Sequence, residues 1–145
     1  MKLTNRSEYA LLALIELARH YDEGLLSGDC LAERQAIPKR FLQQILFSLK
    51  RGGFIRSVKG KAGGYALNRA PHAITVAEIV RFFEGALAPT TSTSRNFYQP
   101  SPIEHEKGLV QLFSEIRDRV ATMLETTTLS DVSMSTKLTR KRRRA

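Results

Sequence analysis

The sequence predicts a mainly α-helical fold with a small two-stranded wing, followed by a long C-terminal helix. Three observations carry that expectation. Two short helical stretches meet at a tight break around Ala36 and Ile37, a glycine-rich hairpin pattern follows over residues 54–69, and a later stretch repeats apolar residues at spacings of 4, 3, 4 and 3.

The first helix is expected over residues 5–21. Leu11, Leu14, Ile15 and Ala18 stand at i, i+3, i+4 and i+7, and Ala10, Leu17 and Tyr21 widen the stripe. Asn5 with Glu8 reads as a capping box, and Gly24 marks the stop. Gly28–Gln35 reads as a short second helix, with Ser27 as its cap and Leu31 facing inward. Pro38 then opens a third helix over 38–51, at a position where its missing N–H costs nothing. Phe41, Leu42, Ile45, Leu46 and Leu49 form its packing face, and Gly52-Gly53 ends it.

Beyond the glycine pair the period changes. Residues 54–58 read as a strand, 59–64 as a turn and 65–69 as the returning strand. Thr75 and Glu78 form a capping box for a fourth helix that packs Val76, Ile79, Val80 and Phe83. Residues 86–100 are rich in Thr, Ser and Pro without a usable period, so they read as a mobile linker. Ser101, Pro102 and Glu104 open a long helix to about residue 126. Its seam is Leu109, Phe113, Ile116, Val120 and Met123, flanked by Leu112 and Leu124. The expected division is residues 1–85 as one folded domain, 86–101 as a linker, 102–132 as a dimerisation helix and 133–145 as a disordered basic tail.

Charge narrows the function. The net charge is +9, but Lys137, Arg140, Lys141, Arg142, Arg143 and Arg144 carry six of these, leaving residues 1–136 with 17 basic and 14 acidic side chains. The remainder is unevenly placed, because residues 34–77 hold nine basic side chains and no acid. A one-sign stretch inside a folded domain is an electrostatic footprint whose natural partner is nucleic acid. Two helices around a tight turn, followed by a glycine-bearing hairpin, is the layout of a winged helix-turn-helix, whose second helix enters the major groove.

The polar positions on that helix and its approach are Pro38, Lys39, Arg40, Gln43, Gln44, Ser48, Lys50 and Arg51. Gln pairs bidentately with adenine and Arg with guanine, while Lys takes guanine or phosphate. On the wing, Ser57, Lys59, Gly60, Lys61, Gly63, Gly64 and Tyr65 suit phosphate or minor-groove contact.

Other classes fit poorly. His20, His72 and His105 lie in unrelated segments, and no Gly-Lys-Ser/Thr opens a helix after Gly60–Gly64, so no catalytic constellation or phosphate loop is legible and no enzyme is expected. No apolar run is long enough to span a bilayer, and the single Cys30 excludes an intramolecular disulfide, so a soluble cytoplasmic protein is expected.

Several strings carry a resemblance to a known family. They are Tyr9-Ala10-Leu11, Leu31-Ala32-Glu33-Arg34 with Ile37-Pro38, the run from Phe41 to Leu46, and Leu49-Lys50-Arg51-Gly52-Gly53-Phe54-Ile55. Ser57-Val58-Lys59-Gly60 with Gly63-Gly64-Tyr65-Ala66-Leu67 is the most specific; Ile74-Thr75-Val76, Phe83-Glu84-Gly85 and the run from Thr128 to Val132 extend it. Residues 1–132 resemble the IscR/NsrR/CymR-type (Rrf2) family of winged helix-turn-helix transcription regulators.

That resemblance implies a homodimer joined through the long helix, bound to an inverted-repeat operator in double-stranded DNA, usually as a repressor. The chain departs from the cluster-sensing members, which carry three cysteines after the fourth helix, because residues 86–107 contain none. No cofactor is therefore expected, and either an unidentified small-molecule or protein effector or simple control by protein abundance is expected in place of a cluster. Lys59 stands where many relatives have arginine, and lysine lacks the bidentate fork. The rival readings are a winged-helix adaptor that binds protein, and a cluster or redox sensor using non-cysteine ligands such as His105.

Overall fold

The computed structural model describes residues 2–95 and 98–134. Helix α1 (Asn5–Arg19) is capped one residue earlier than expected. The N-cap is Thr4, whose N–H donates to Ser7 Oγ at 3.1 Å and to Glu84 Oε1 at 2.9 Å. Glu84 Oε1 also accepts from the hydroxyls of Thr4 and Ser7, each at 2.6 Å. The box that forms is thus Thr4 with Ser7, one residue ahead of the expected Asn5–Glu8 pair, and a carboxylate from far along the chain braces it.

These hydrogen bonds, Ser7 first, hold the Glu84 carboxyl below its ordinary range. The stabilisation Glu84 gives is therefore complete above the ordinary carboxylate pKa and is lost as pH falls through the lower folded value. Comparing denaturation of the wild type with Glu84→Gln should show a stability gap at neutral pH that closes in acid; a pH-independent gap would refute the linkage.

Helix α2 (Gly28–Gln35) has the expected cap, with Ser27 Oγ accepting from Cys30 N–H at 3.1 Å. Ala36 takes the left-handed conformation at φ 53°, turning the chain so that Ile37 is buried. Pro38 is the N-cap of α3 (Lys39–Arg51), one residue ahead of its expected place. Leu42, Ile45, Leu46 and Leu49 are buried as expected, but Phe41 is 53% exposed and lies tilted against Tyr9. The reason is rotation: Phe41 sits about 100° around the helix from Leu42, beside the buried stripe.

The wing is an antiparallel pair, β1 (Ile55–Val58) and β2 (Gly64–Leu67), with Ile55 opposite Leu67 and Ser57 opposite Tyr65. Leu26 extends it, exchanging backbone hydrogen bonds with Tyr65 at 2.7 and 3.0 Å. Helix α4 (Val76–Glu84) starts on the expected box: Glu78 N–H donates to Thr75 Oγ1 and Thr75 N–H to Glu78 Oε2.

Ser101-Pro102-Ile103-Glu104 does not open the long helix. It forms a separate 3₁₀ turn, Pro102–His105, and α5 (Lys107–Thr126) starts only after extended Glu106. Ser101 Oγ is engaged by Ser92 Oγ at 2.7 Å, so it caps nothing. The segment read as a linker makes contacts of its own: Leu87, Ala88, Thr93 and Ser94 are buried, and Thr93 O accepts from Arg117 Nη1 at 2.7 Å.

After α5 the chain returns to the first domain. Val76 N–H donates to Thr127 O, Leu129 N–H donates to Ile74 O, and the Leu129 side chain is fully buried among Leu14, Leu31, Leu49 and Ile79. Residues 129–134 are helical behind a Thr128–Asp131 box and run past the expected end at Val132, with Ser133 buried. The remaining tail, 135–145, lies outside the described residues.

Candidate nucleic-acid interface

One side of α3 builds the core, so the opposite side has to face outward. Lys39, Arg40, Gln43, Gln44, Lys50 and Arg51 are exposed there, as is Pro38 ahead of them. Ser48 belongs less to this surface: its hydroxyl donates to Gln44 O and accepts from Arg6, so α1 holds it. Phe47 was not foreseen. It is 64% exposed on the outward face, with the Arg51 guanidinium 5.8 Å from its ring centroid. Its position off the Leu42–Leu49 stripe was the available signal.

The wing continues this surface. Lys59, Gly60 and Lys61 are exposed at its tip, while Ser57, Gly63, Gly64 and Tyr65 are half-buried behind it. Gly60 has φ +108°, and Gly63 N–H closes the turn onto Gly60 O at 3.1 Å. A cleft of about 260 Å³ separates α3 from the wing, bordered by Lys39, Gln43, Tyr65 and the start of α2.

That last border was also missed, since the sequence showed Ser27 only as a cap. Asp29 stands there, paired with Lys39 at 3.2 Å, although both side chains are largely exposed. Among the described residues, no ion pair engages Arg40, Lys50, Lys59 or Lys61. Arg40, Gln43, Gln44, Lys50, Lys59 and Lys61 therefore offer positive charge or amide donors on a surface that carries little compensating acid.

A second surface lies on α5, where no residue is buried. Leu109, Leu112, Ile116 and Met123 are exposed at 41, 49, 37 and 69%, with Phe113 and Val120 half-buried between them. Leu124 does not share this surface. It packs within the chain against Ala77, Val80 and Leu87, because one step beyond Met123 turns it toward α4.

A model of the Rrf2 family, described as an iron-dependent transcriptional regulator, matches residues 3–135. The chain belongs to the Rrf2 family of transcriptional regulators. Among its relatives, an rrf2-like HTH-type regulator of Rhodobacter capsulatus is 35% identical over 136 residues, covering 90% of this chain and 91% of that protein. CymR of Bacillus subtilis is 32% identical over 136 residues, covering 94% and 92%. The solved structure of that CymR, described as a global cysteine regulator, superposes with a TM-score of 0.81 over 93% of this chain and 98% of its own, at 30% identity. IscR of T. potens gives 0.73 at 27% identity, covering 94% and 88%. The helical fold with its two-stranded wing is the Rrf2 winged helix. No helix of the described residues is long and apolar enough to cross a membrane.

The family description implies iron, and the side chains here do not fit an iron–sulfur cluster. The chain has one cysteine, Cys30, which lies in α2. Among the described residues, no three His, Cys, Asp or Glu side chains are placed to hold a metal ion. His105 is exposed, and His20 Nε2 is 2.7 Å from Arg34 Nη1. A cluster needs thiolates, with histidine as an occasional substitute.

Proposed function

We propose that this Rrf2 regulator is a homodimeric repressor of an inverted-repeat operator, controlled by something other than a cysteine-ligated cluster. The observation that carries the reading is the acid-poor surface joining α3 to the wing. Helix α3 enters the major groove, where Arg40 and Gln43 read base edges near its N-terminus. Lys59 and Lys61 hold phosphate or the adjacent minor groove. The apolar side of α5 pairs with a second copy, placing two such surfaces on successive turns of one face of the duplex. Occupancy of the operator then blocks the promoter. The exposed α5 face and the coverage of CymR from end to end support this reading.

The roles separate under mutation. Arg40→Ala or Gln43→Ala should cost about 1–3 kcal/mol and relax preference at one position per half-site. Lys59→Ala or Lys61→Ala should weaken all sequences alike and flatten the salt slope by about one unit for each phosphate left unneutralised. Fluorescence anisotropy on selected and random duplexes at several salt concentrations measures both. Equal losses on the two duplexes for Arg40→Ala and Gln43→Ala would remove α3 from the reading role.

A further inference from the structure

Helix α5 has two working sides. Its exposed apolar residues, Leu112, Ile116 and Met123, lie on one; Arg117, Asp118 and Glu125 lie on the other, counting about 100° per residue. That second side closes a pocket of about 110 Å³ against α4 and residues 87–95. Arg81 enters from α4, and Ser94 and Arg95 from the connecting segment.

The charges in this pocket do not balance. Arg81 Nη2 pairs with Glu125 Oε1 at 2.5 Å. Arg95 Nη2 and Arg117 Nη2 both pair with the same oxygen, Asp118 Oδ1, at 2.9 and 2.8 Å. Three guanidiniums thus face two carboxylates, leaving one positive charge in surplus. Arg117 also donates from Nη1 to Thr93 O at 2.7 Å and its side chain is only 19% exposed, which fixes it in the pocket wall, while Arg95, 72% exposed, stands at the mouth within reach of a solute. The Asp118 carboxyl is held below its ordinary range, by Arg117 first, as expected beside two cations. This pocket lies outside the α3–wing surface, so DNA does not account for it.

We infer that the pocket between α4, residues 87–95 and α5 binds a small oxyanion, a carboxylate or phosphate group, on Arg95 and Arg117. The planar guanidinium of Arg95 can match either group bidentately, and Arg117, whose Nε and Nη2 already hold Asp118 Oδ1, adds charge beside it. At this size the site takes the charged end of a small metabolite. Such a ligand competes with Asp118 for Arg95 and so resets how residues 87–95 sit on the face of α5 opposite the apolar stripe. Tilting α5 then changes the spacing of the two α3 helices in a dimer. The consequence for DNA rests on the proposed reading of the chain as a dimeric operator-binding protein; the binding itself does not. By linkage, an anion that lowers operator affinity must be released by the operator to the same degree.

The test is calorimetric titration of the full chain with sodium succinate and, separately, potassium phosphate at fixed ionic strength. One saturable site per chain is expected in one arm, and the arm that binds tells carboxylate from phosphate. Arg95→Ser, an exposed position whose loss spares the core, and Arg117→Gln should each weaken that site by about tenfold or more. Operator affinity should shift by about fivefold or more with the bound anion in the wild type, and not in Arg95→Ser. Absence of saturable binding in both arms overturns the site, as does binding that neither variant weakens. Binding that leaves operator affinity unchanged overturns the coupling. A chain that binds no DNA with or without anion defeats the operator reading instead, while the calorimetric result stands.

Discussion

Replacing Ile116 by glutamate is expected to yield monomers whose operator binding is weaker by about 2–5 kcal/mol. The figure follows from symmetry: specific binding exceeds non-specific binding by roughly 4–10 kcal/mol, and a twofold dimer draws it equally from two half-sites. Ile116 is central to the α5 stripe, between Leu112 and Val120, and is 37% exposed in the single chain. An apolar stripe on a helix with no buried residue needs a cover, and in the proposed dimer a second α5 would supply a self-complementary one. Two glutamates near the twofold axis would be desolvated together and repel, which such an interface cannot accommodate. Because α5 makes little of the chain's own core, the monomer should remain folded. Sedimentation equilibrium and circular dichroism check both statements. A variant that stays dimeric places the interface elsewhere and removes the basis for the paired half-sites.

What was legible in the sequence was what is settled locally. The Ser27 cap, the tight break at Ala36 and Ile37 and the Thr75–Glu78 box each involve residues within one helical turn, and each stands where the pattern puts it. Phe41 and Leu124 were misplaced by one step of helix rotation, whereas other misses come from a partner distant in sequence. Glu84 reaches Thr4 across 80 residues, and Ser92 occupies the Ser101 hydroxyl that was expected to cap α5. Leu129 matched a familiar ending as a string, yet nothing in its neighbours announces that it fills the core under Ile74.

The candidate DNA surface was mostly readable because a period of 3.6 assigns each α3 residue a side. The period also placed Phe47 outward, but an apolar residue draws no notice among charges. The Asp29–Lys39 pair and the arginine pocket were invisible, since each brings together side chains from separate elements. In the sequence Arg95 and Arg117 are scattered charges; only the packing of residues 87–95 on α5 sets them around one carboxylate.

That distinction between local and distant constraint predicts how the wing glycines will respond. Gly60 has φ +108° but open space around it, so Gly60→Ala should cost only about 1–2 kcal/mol of backbone strain at the wing tip. Gly64 is limited by contact instead. A Cβ there would stand 2.4 Å from Leu26 O, a backbone atom held by the paired hydrogen bonds between Leu26 and Tyr65. No flexible side chain is available to yield, so either the Leu26 bridge or the β1–β2 register must break. Gly64→Ala should therefore cost roughly 2–4 kcal/mol, at the upper end of what overpacking a deformable core costs or beyond it. The wing would also detach from the start of α2, opening the cleft beside Gln43. Its Lys59 and Lys61 contacts carry no sequence information in this reading, so affinity should fall alike on specific and random DNA. Thermal unfolding and anisotropy on both duplexes give the comparison with Gly60→Ala. If the two variants lose stability equally, the wing is held by its own turn and the Leu26 bridge is incidental.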